Sequence, residues 1–333
     1  MVDGENVRAA PKQARVTAVI PTVGRHSLGR AVWSALTQTF RDLMVVVAVD
    51  GPTSLLEGIT LPEDDRVRIV YCQVSRGENG ARMAAVLATQ SELIAFLDDD
   101  DWWEPGKVAA QVEAMDRIRA AGTRHALITC RSLNRTETGD VIETVPRRVP
   151  RPGESVAEYL FTRREIRPGS AGFGSSMFLF DRALLDVEPL TEGLPLHGDL
   201  DWALRVGARS DAAFHMLEDV LVNYTRQPTG MSNFPQARWS ASFDWVMHQA
   251  QGLGPRQRGD ALLGLTAPLA LRGRDWTGVR KVICTAAIGR ARAGLRAWLF
   301  CAALAARQSL QELCGLAGRR TANREPLALQ RTR

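Results

Sequence analysis

Apolar residues over the first hundred or so positions fall alternately into short unbroken runs and into helical spacing. Residues 16–20 form a β-branched run ended by Pro21, and residues 43–49 form a second run ended by Asp50, Gly51 and Pro52. Unbroken apolar runs this short predict strands covered on both faces, as in a parallel sheet. Between them Leu28, Val32, Ala35 and Leu36 share one side of an amphipathic helix predicted over 28–39. The rhythm repeats with a strand at 67–71, a helix at 78–88 and a strand at 93–97. A further helix is opened by Glu104 and Pro105, runs to about Ala121 and is stopped by Gly122. Strand and helix alternating in this way predict an α/β fold, a doubly wound, mostly parallel sheet with flanking helices. Ligands in such sheets gather at the carboxyl ends of the strands, which is where Thr22, Asp50 and Asp98 to Asp101 stand.

After residue 129 the texture turns to arginine, proline and glycine. A hairpin is predicted around Thr138, Gly139 and Asp140, a loop over 146–153, a strand at 177–180, a helix over 199–207 and a strand near 220–224. From Gln236 onward the pattern reads as helices broken by glycines and by Pro255, and no internal repeat is present. The uncharged stretch 297–306 of this region has only ten residues, against the roughly 17 to 25 that a membrane-spanning helix needs.

Composition adds limits. The chain has 333 residues, 45% hydrophobic and 24% charged, which excludes a disordered, collagen-like or membrane-embedded class. Its five cysteines, Cys72, Cys130, Cys284, Cys301 and Cys314, are odd in number and never spaced C-x-x-C, against a disulfide framework or a zinc cluster. The first fifteen residues lack an apolar signal segment and read as a loose tail, so the expected compartment is the cytoplasm. The net charge of +5 hides an asymmetry: residues 256–333 carry fifteen Lys/Arg against four Asp/Glu, whereas residues 1–255 carry 27 against 33. The basic tail is a solvated helical face or a contact for anionic lipid, nucleic acid or an acidic partner. Arg292 and Arg296 beside Leu295, Trp298, Leu299 and Phe300 suit either an interfacial helix, peripheral at a membrane surface, or packing on the α/β core or a sister subunit. Nucleic acid is not an expected partner.

Asp98 to Asp101 carry the chemistry. Four adjacent carboxylates at the end of an apolar strand repel one another unless a cation or solvent relieves them. Hard divalent ions, Mn²⁺ or Mg²⁺, commonly use one or two carboxylates together with substrate phosphates, which fits the alternate aspartates Asp98 and Asp100. The competing reading is a solvated acidic loop before a helix N-terminus.

Segment 93–105 (LIAFLDDDDWWEP) resembles the D-x-D segment of glycosyltransferase family 2, whose fold is of the GT-A type. Segment 19–25 (VIPTVGR) is similar to that family's first strand and nucleotide loop, 47–51 (VAVDG) to its second strand end, and Gly80-Ala-Arg82 to its A-R-N element. The resemblance covers about residues 16–235 in the family's order. It implies Asp100 as principal metal ligand, Asp98 on the metal or the donor ribose, and Asp50 on the nucleobase or ribose. Pro21, Thr22, Arg25, Arg82 and Asp99 would belong to the donor pocket.

Segment 196–205 (LHGDLDWALR) resembles the start of the family's E-D-x-D helix, which makes Asp199 the general base of an inverting transfer, with Gly198 where the family often has glutamate. Capping by Asp199 or Asp201 is the structural alternative. Segment 169–177 resembles the family's acceptor-side stretch, so that Gly174, Ser175 and Trp202 are the expected acceptor side, Trp202 being equally readable as core. Segment 224–232 resembles a loop that closes over donor phosphates. There Arg226 would neutralise diphosphate charge, and Gln227 stands where a histidine ligand can occur.

The resemblance divides the chain into a tail (1–15), a nucleotide-sugar-binding half (16–130), an acceptor-side half (131–235) and a basic helical C-terminal extension (236–333). It implies a nucleotide diphosphate sugar and a hydroxyl acceptor, glycan, lipid-linked or small molecule. The alternatives are a haloacid dehalogenase-type phosphatase, disfavoured by Asp101-Trp102-Trp103, a sugar nucleotidyltransferase, for which 21–25 is too poor in glycine, and a non-catalytic cation-dependent sugar-binding protein.

Overall fold

The structure is a computed structural model and describes residues 14–226, 238–288 and 291–322, with side chains through Ser309. The amino-terminal half alternates as expected: β1 (Val16–Thr22), α1 (Leu28–Leu36), β2 (Leu43–Asp50), β3 (Val67–Cys72), α2 (Gly77–Leu87), β4 (Leu93–Phe96), the two-residue β5 (Trp102–Trp103) and α3 (Lys107–Ala120). Then follow β6 (His125–Arg135), β7 (Val141–Val145), α4 (Val156–Phe161), β8 (Leu179–Asp181), α5 (Leu184–Val187), α6 (Gly198–Gly207) and β9 (Ala212–Thr225).

One sheet takes in all nine strands in the order β3-β2-β1-β4-β8-β6-β9-β5, with β7 hydrogen-bonded to β6. The half from β3 to β4 is parallel, with Val16 opposite both Leu43 and Leu93. Past β4 the sheet becomes mixed: β8 runs antiparallel to β4 and β6, and β9 runs parallel to β6. Both faces are covered, so neighbouring residues of one strand enter different cores. Ala18 and Ile20 pack with Leu28, Val32, Val108 and Val112 of α1 and α3. Val19, Ile94 and Phe96 join Ala85, Phe180, Trp202 and the C-terminal helices.

Those helices are α7 (Arg238–Asp244), α8 (Pro255–Ala261), α9 (Ala267–Arg272), α10 (Trp276–Ala287) and α11 (Leu295–Ala322). None is long and apolar enough to cross a membrane among the described residues. Trp245, which directly follows α7, ties this region to the sheet domain, its indole N–H donating to the Asp201 carboxylate of α6 at 3.0 Å.

Several elements differ from the sequence reading. β6 is an eleven-residue strand where none was expected. β9 is much longer than 220–224. Trp102 and Trp103 form a short edge strand against Asn223 and Val222 instead of only turning the chain. Beneath it Lys107 is fully buried, with Nζ 3.8 Å from the centre of the Trp103 ring and 3.3 Å from the Phe178 carbonyl. Burial pulls its ammonium pKa down to about 7.

Candidate active site

The apolar run of β4 ends against the four aspartates, and the fold sends their carboxylates different ways. Asp98 accepts from Arg82 Nη2 at 2.6 Å and from Ser175 Oγ at 3.0 Å, while its backbone N–H donates to Ser176 Oγ at 3.0 Å. Asp99 is 1% exposed and is held by Thr22 Oγ1 at 2.5 Å and by Arg25. Asp101 is fully buried and accepts from Ser176 Oγ at 2.6 Å and from the Thr225 N–H at 2.9 Å. Two of the four are therefore absorbed by the fold.

Asp100 is left facing outward. Its carbonyl accepts from Thr225 Oγ1 at 2.6 Å, but its carboxylate, a fifth exposed, has Arg25 Nη1 no nearer than 3.9 Å. Burial together with repulsion from Asp98 and Asp99, against the pull of Arg25, pushes this carboxyl up to about 6. A cation would relieve that repulsion. Among the described residues no three His, Cys, Asp or Glu side chains form a preformed metal cage. What is present, Asp98 and Asp100 both reaching solvent, fits an ion that uses one or two carboxylates and completes its shell with phosphate oxygens and water.

Beside this loop opens a cavity of about 680 Å³. Arg82, Asp98 and Ser175 line it, as do Asp199 and Gly198 of α6 and Arg226 at the end of β9. Asp199 sits in the first turn of α6, where its Oδ1 accepts the Leu200 N–H at 2.8 Å. Burial raises this carboxyl above its ordinary range, with Asp98 adding and Arg82 opposing. A carboxylate of raised basicity in a cavity is suited to accept a proton. The residue before the helix, His197, takes a left-handed φ of 65°, and its Nε2 lies 2.9 Å from Ser242 Oγ. Burial holds its pKa at about 4, so the ring is neutral.

Gly198 has a steric reason. A Cβ there would lie 2.8 Å from Asn79 Nδ2, which donates to the Thr191 carbonyl at 2.9 Å. The space beside Asp199 belongs to α2. That helix also brings Glu78, a residue the motif comparison passes over, into ion pairing with Arg82 at the cavity wall. Arg82 draws the Glu78 carboxyl down, but desolvation and the charges of Asp98, Asp199 and Asp100 outweigh it and leave it at about 7. The side chain is 48% exposed, so charge repulsion across the open cavity is the firmer part of that cause. The readable signal was a glutamate four residues before Arg82 on one helix face.

Of the residues singled out in the sequence, Arg82, Asp98, Gly174, Ser175, Asp199 and Arg226 share the cavity. Thr22, Arg25 and Asp99 form a cluster of their own at the ends of β1 and β4. Asp50 accepts from Ser75 Oγ at 2.8 Å and from the Arg76 N–H at 2.7 Å, and Pro21 is buried within β1. Arg226 Nη2 lies 3.6 Å from Glu143 of β7. Two of the expected site residues are deeply buried. Asp99 faces Thr22 and Arg25 with both oxygens and is 1% exposed. Trp202 is core: it is fully buried against Phe178 and Phe180, and its indole N–H is spent on the Glu188 carbonyl at 2.6 Å. Gln227 and residues 229–232 lie outside the described residues.

Residues 17–187 match the family model described as Glycosyl transferase family 2. The chain belongs to that family. Among its relatives are the succinoglycan biosynthesis protein ExoU of Rhizobium meliloti, 32% identical over 55% of this chain and 54% of that protein, and the amylovoran biosynthesis glycosyltransferase AmsB of Erwinia amylovora, 25% identical over 56% and 61%. The chain spans about a third to three fifths of the length of such relatives. Among solved structures, the mannosyltransferase PcManGT from Pyrobaculum calidifontis, in complex with GDP-Man and Mn²⁺, superposes with a TM-score of 0.52 at 16% identity, covering 91% of this chain and 81% of that one. The family 2 chain accordingly has the GT-A fold, with a helical C-terminal region.

Proposed function

We propose that this family 2 chain is an inverting glycosyltransferase that moves a sugar from a nucleotide diphosphate donor onto the hydroxyl of a glycan, lipid-linked or small-molecule acceptor. The observation that carries the reading is the convergence of Asp199, Asp98 and Arg82 on one cavity. Asp199 takes the proton of the attacking hydroxyl; that oxygen bonds to the anomeric carbon from the face opposite the diphosphate, and the bond from that carbon to the diphosphate oxygen breaks. Arg82 keeps Asp98 oriented, and Arg226 offers positive charge to the departing phosphates. Asp100, with Asp98, would hold Mn²⁺ or Mg²⁺, which when bound supplies Lewis-acid stabilisation of the leaving diphosphate.

On this reading residues 16–130 supply the donor half, with Asp50, Thr22 and Arg25 at strand ends, and residues 131–235 the acceptor half. The cytoplasm is the proposed compartment, in keeping with the free thiols of Cys72, Cys130, Cys284 and Cys301. The deciding experiment is a thermal-shift panel of nucleotide sugars with and without Mn²⁺, followed by product analysis with the stabilising donor. Metal-dependent stabilisation and a product of inverted anomeric configuration are expected; stabilisation by none of the donors, or a retained configuration, overturns the reading.

A further inference from the structure

The C-terminal helices carry an exposed apolar stripe that the site does not use. In α11 Leu295, Leu299, Ala302 and Ala306 are all exposed, at spacings of four, three and four residues that place them along one helix face. Leu295 is 74% exposed and Leu299 44%. The chain doubles back before this helix, with the Ala293 N–H bonded to the Ala286 carbonyl at 2.9 Å. That return keeps Ile288, 74% exposed, at the same end of the bundle as Leu295. Arg292, Arg296 and Arg307 are exposed near the stripe in sequence, Arg296 also donating to the Arg164 carbonyl.

The acids nearest it in sequence are engaged by neighbouring groups. Asp260 is 3% exposed and accepts the N–H groups of Arg163 at 2.9 Å and Gly294 at 2.7 Å. Asp275 caps α10 by accepting the Gly278 N–H at 2.8 Å and also takes the Trp239 indole at 2.6 Å. Fifteen basic residues face four acidic ones over 256–333, and two of those four are Asp260 and Asp275. A second copy of the chain would bring the same positive surface and be repelled. An apolar ridge flanked by arginines, on a helix unable to span, matches a bilayer carrying negative headgroups.

We propose that Ile288, Leu295 and Leu299, with Arg292, Arg296 and Arg307, form a docking face for an anionic lipid surface. The helix lies in the plane of the headgroups, its leucines inserted and its arginines at phosphate level. Docking is independent of the transfer chemistry.

The test is co-sedimentation of the full chain with vesicles of phosphatidylglycerol and phosphatidylcholine, against phosphatidylcholine alone. Binding to the anionic vesicles only, reversed by roughly 0.5 M salt, is expected. The pair Arg292→Gln and Arg307→Gln weakens that binding about twenty-five-fold, at about fivefold per arginine, and the pair Leu295→Ser and Leu299→Ser weakens it by about tenfold or more. All of these positions are exposed, so nucleotide-sugar binding in solution is unchanged in both variants. Failure to bind anionic vesicles, or binding indifferent to both pairs, overturns the proposal. A dimer dissolved by the leucine pair in a chain that ignores vesicles assigns the face to a second copy and overturns it too.

Discussion

Arg82 donates to Asp98 across 2.6 Å, and through this contact α2 is fastened to the end of β4. The guanidinium is 3% exposed and also pairs with Glu78, so a single cation answers two carboxylates at the cavity wall. Arg82→Met removes it and leaves them facing each other and Asp199. A loss of about 2 kcal/mol in urea unfolding is expected, the scale of a charged hydrogen bond whose partner is left unmatched. Arg82→Lys restores charge without the fork and recovers only part. Full stability in the methionine variant would show that the contact does not hold the elements together.

Asp199→Asn keeps an oxygen able to accept the Leu200 N–H, so α6 should form and donor binding persist. Transfer should fall by roughly 10² to 10⁴, the range attributed to a general base. A folded variant with near-normal turnover removes Asp199 from the mechanism.

The acidic run should separate into two kinds of residue. Asp100→Asn leaves the thermal midpoint of the protein alone nearly unchanged but abolishes the Mn²⁺-dependent part of donor stabilisation. Asp101→Ala strips partners from Ser176 and Thr225 in a buried setting and lowers stability by about 1–3 kcal/mol. The division fails if both substitutions act alike in the two assays.

Trp202→Ala opens a hole between Phe178 and Phe180. A loss of about 3–5 kcal/mol is expected, with Trp202→Phe milder. An acceptor-platform role would instead raise the acceptor KM while leaving the unfolding midpoint in place.

Lys107 gives a pH signature. Its folded pKa, pulled down by burial to about 7, lies below that of the unfolded chain. Between the two the unfolded state holds a proton that the native state lacks, so stability rises with pH across this window. The opposing penalty is fully present below about 7. The neighbouring Cys130 thiol, raised to about 12 by burial, stays protonated throughout. Midpoints measured from pH 7 to 10 should climb more in the wild type than in Lys107→Met; parallel profiles would remove Lys107 as the source.

The parallel half of the fold could be read in the sequence because β1, β2 and β4 are buried on both faces and so are written as unbroken apolar runs. β6 escaped because Arg131, Asn134 and Arg135 interrupt it: past Cys130 it pairs with the β7 hairpin and the end of β9, beside polar cavity walls. α4 is only six residues long, yet it had a legible start in the reciprocal Ser155 and Glu158 cap. In the site, residue identity pointed to Asp98, Asp199 and Arg82, which arrive from three separate elements. It could not say which aspartates the fold would consume, since Asp99 and Asp101 find their partners in Thr22, Arg25, Ser176 and Thr225, up to 124 positions away.

The fit of Gly198 against Asn79 makes the order of mutations matter. A side chain at 198 and the hydrogen bond from Asn79 to the Thr191 carbonyl compete for one volume. Glutamate introduced at 198 first must break that bond, whereas after Asn79→Ala it meets open space, so the two substitutions are not additive. A lineage of such chains could therefore cross between glycine and glutamate at this position more readily by one order of substitutions than by the other, the difference being the cost of moving one side-chain amide.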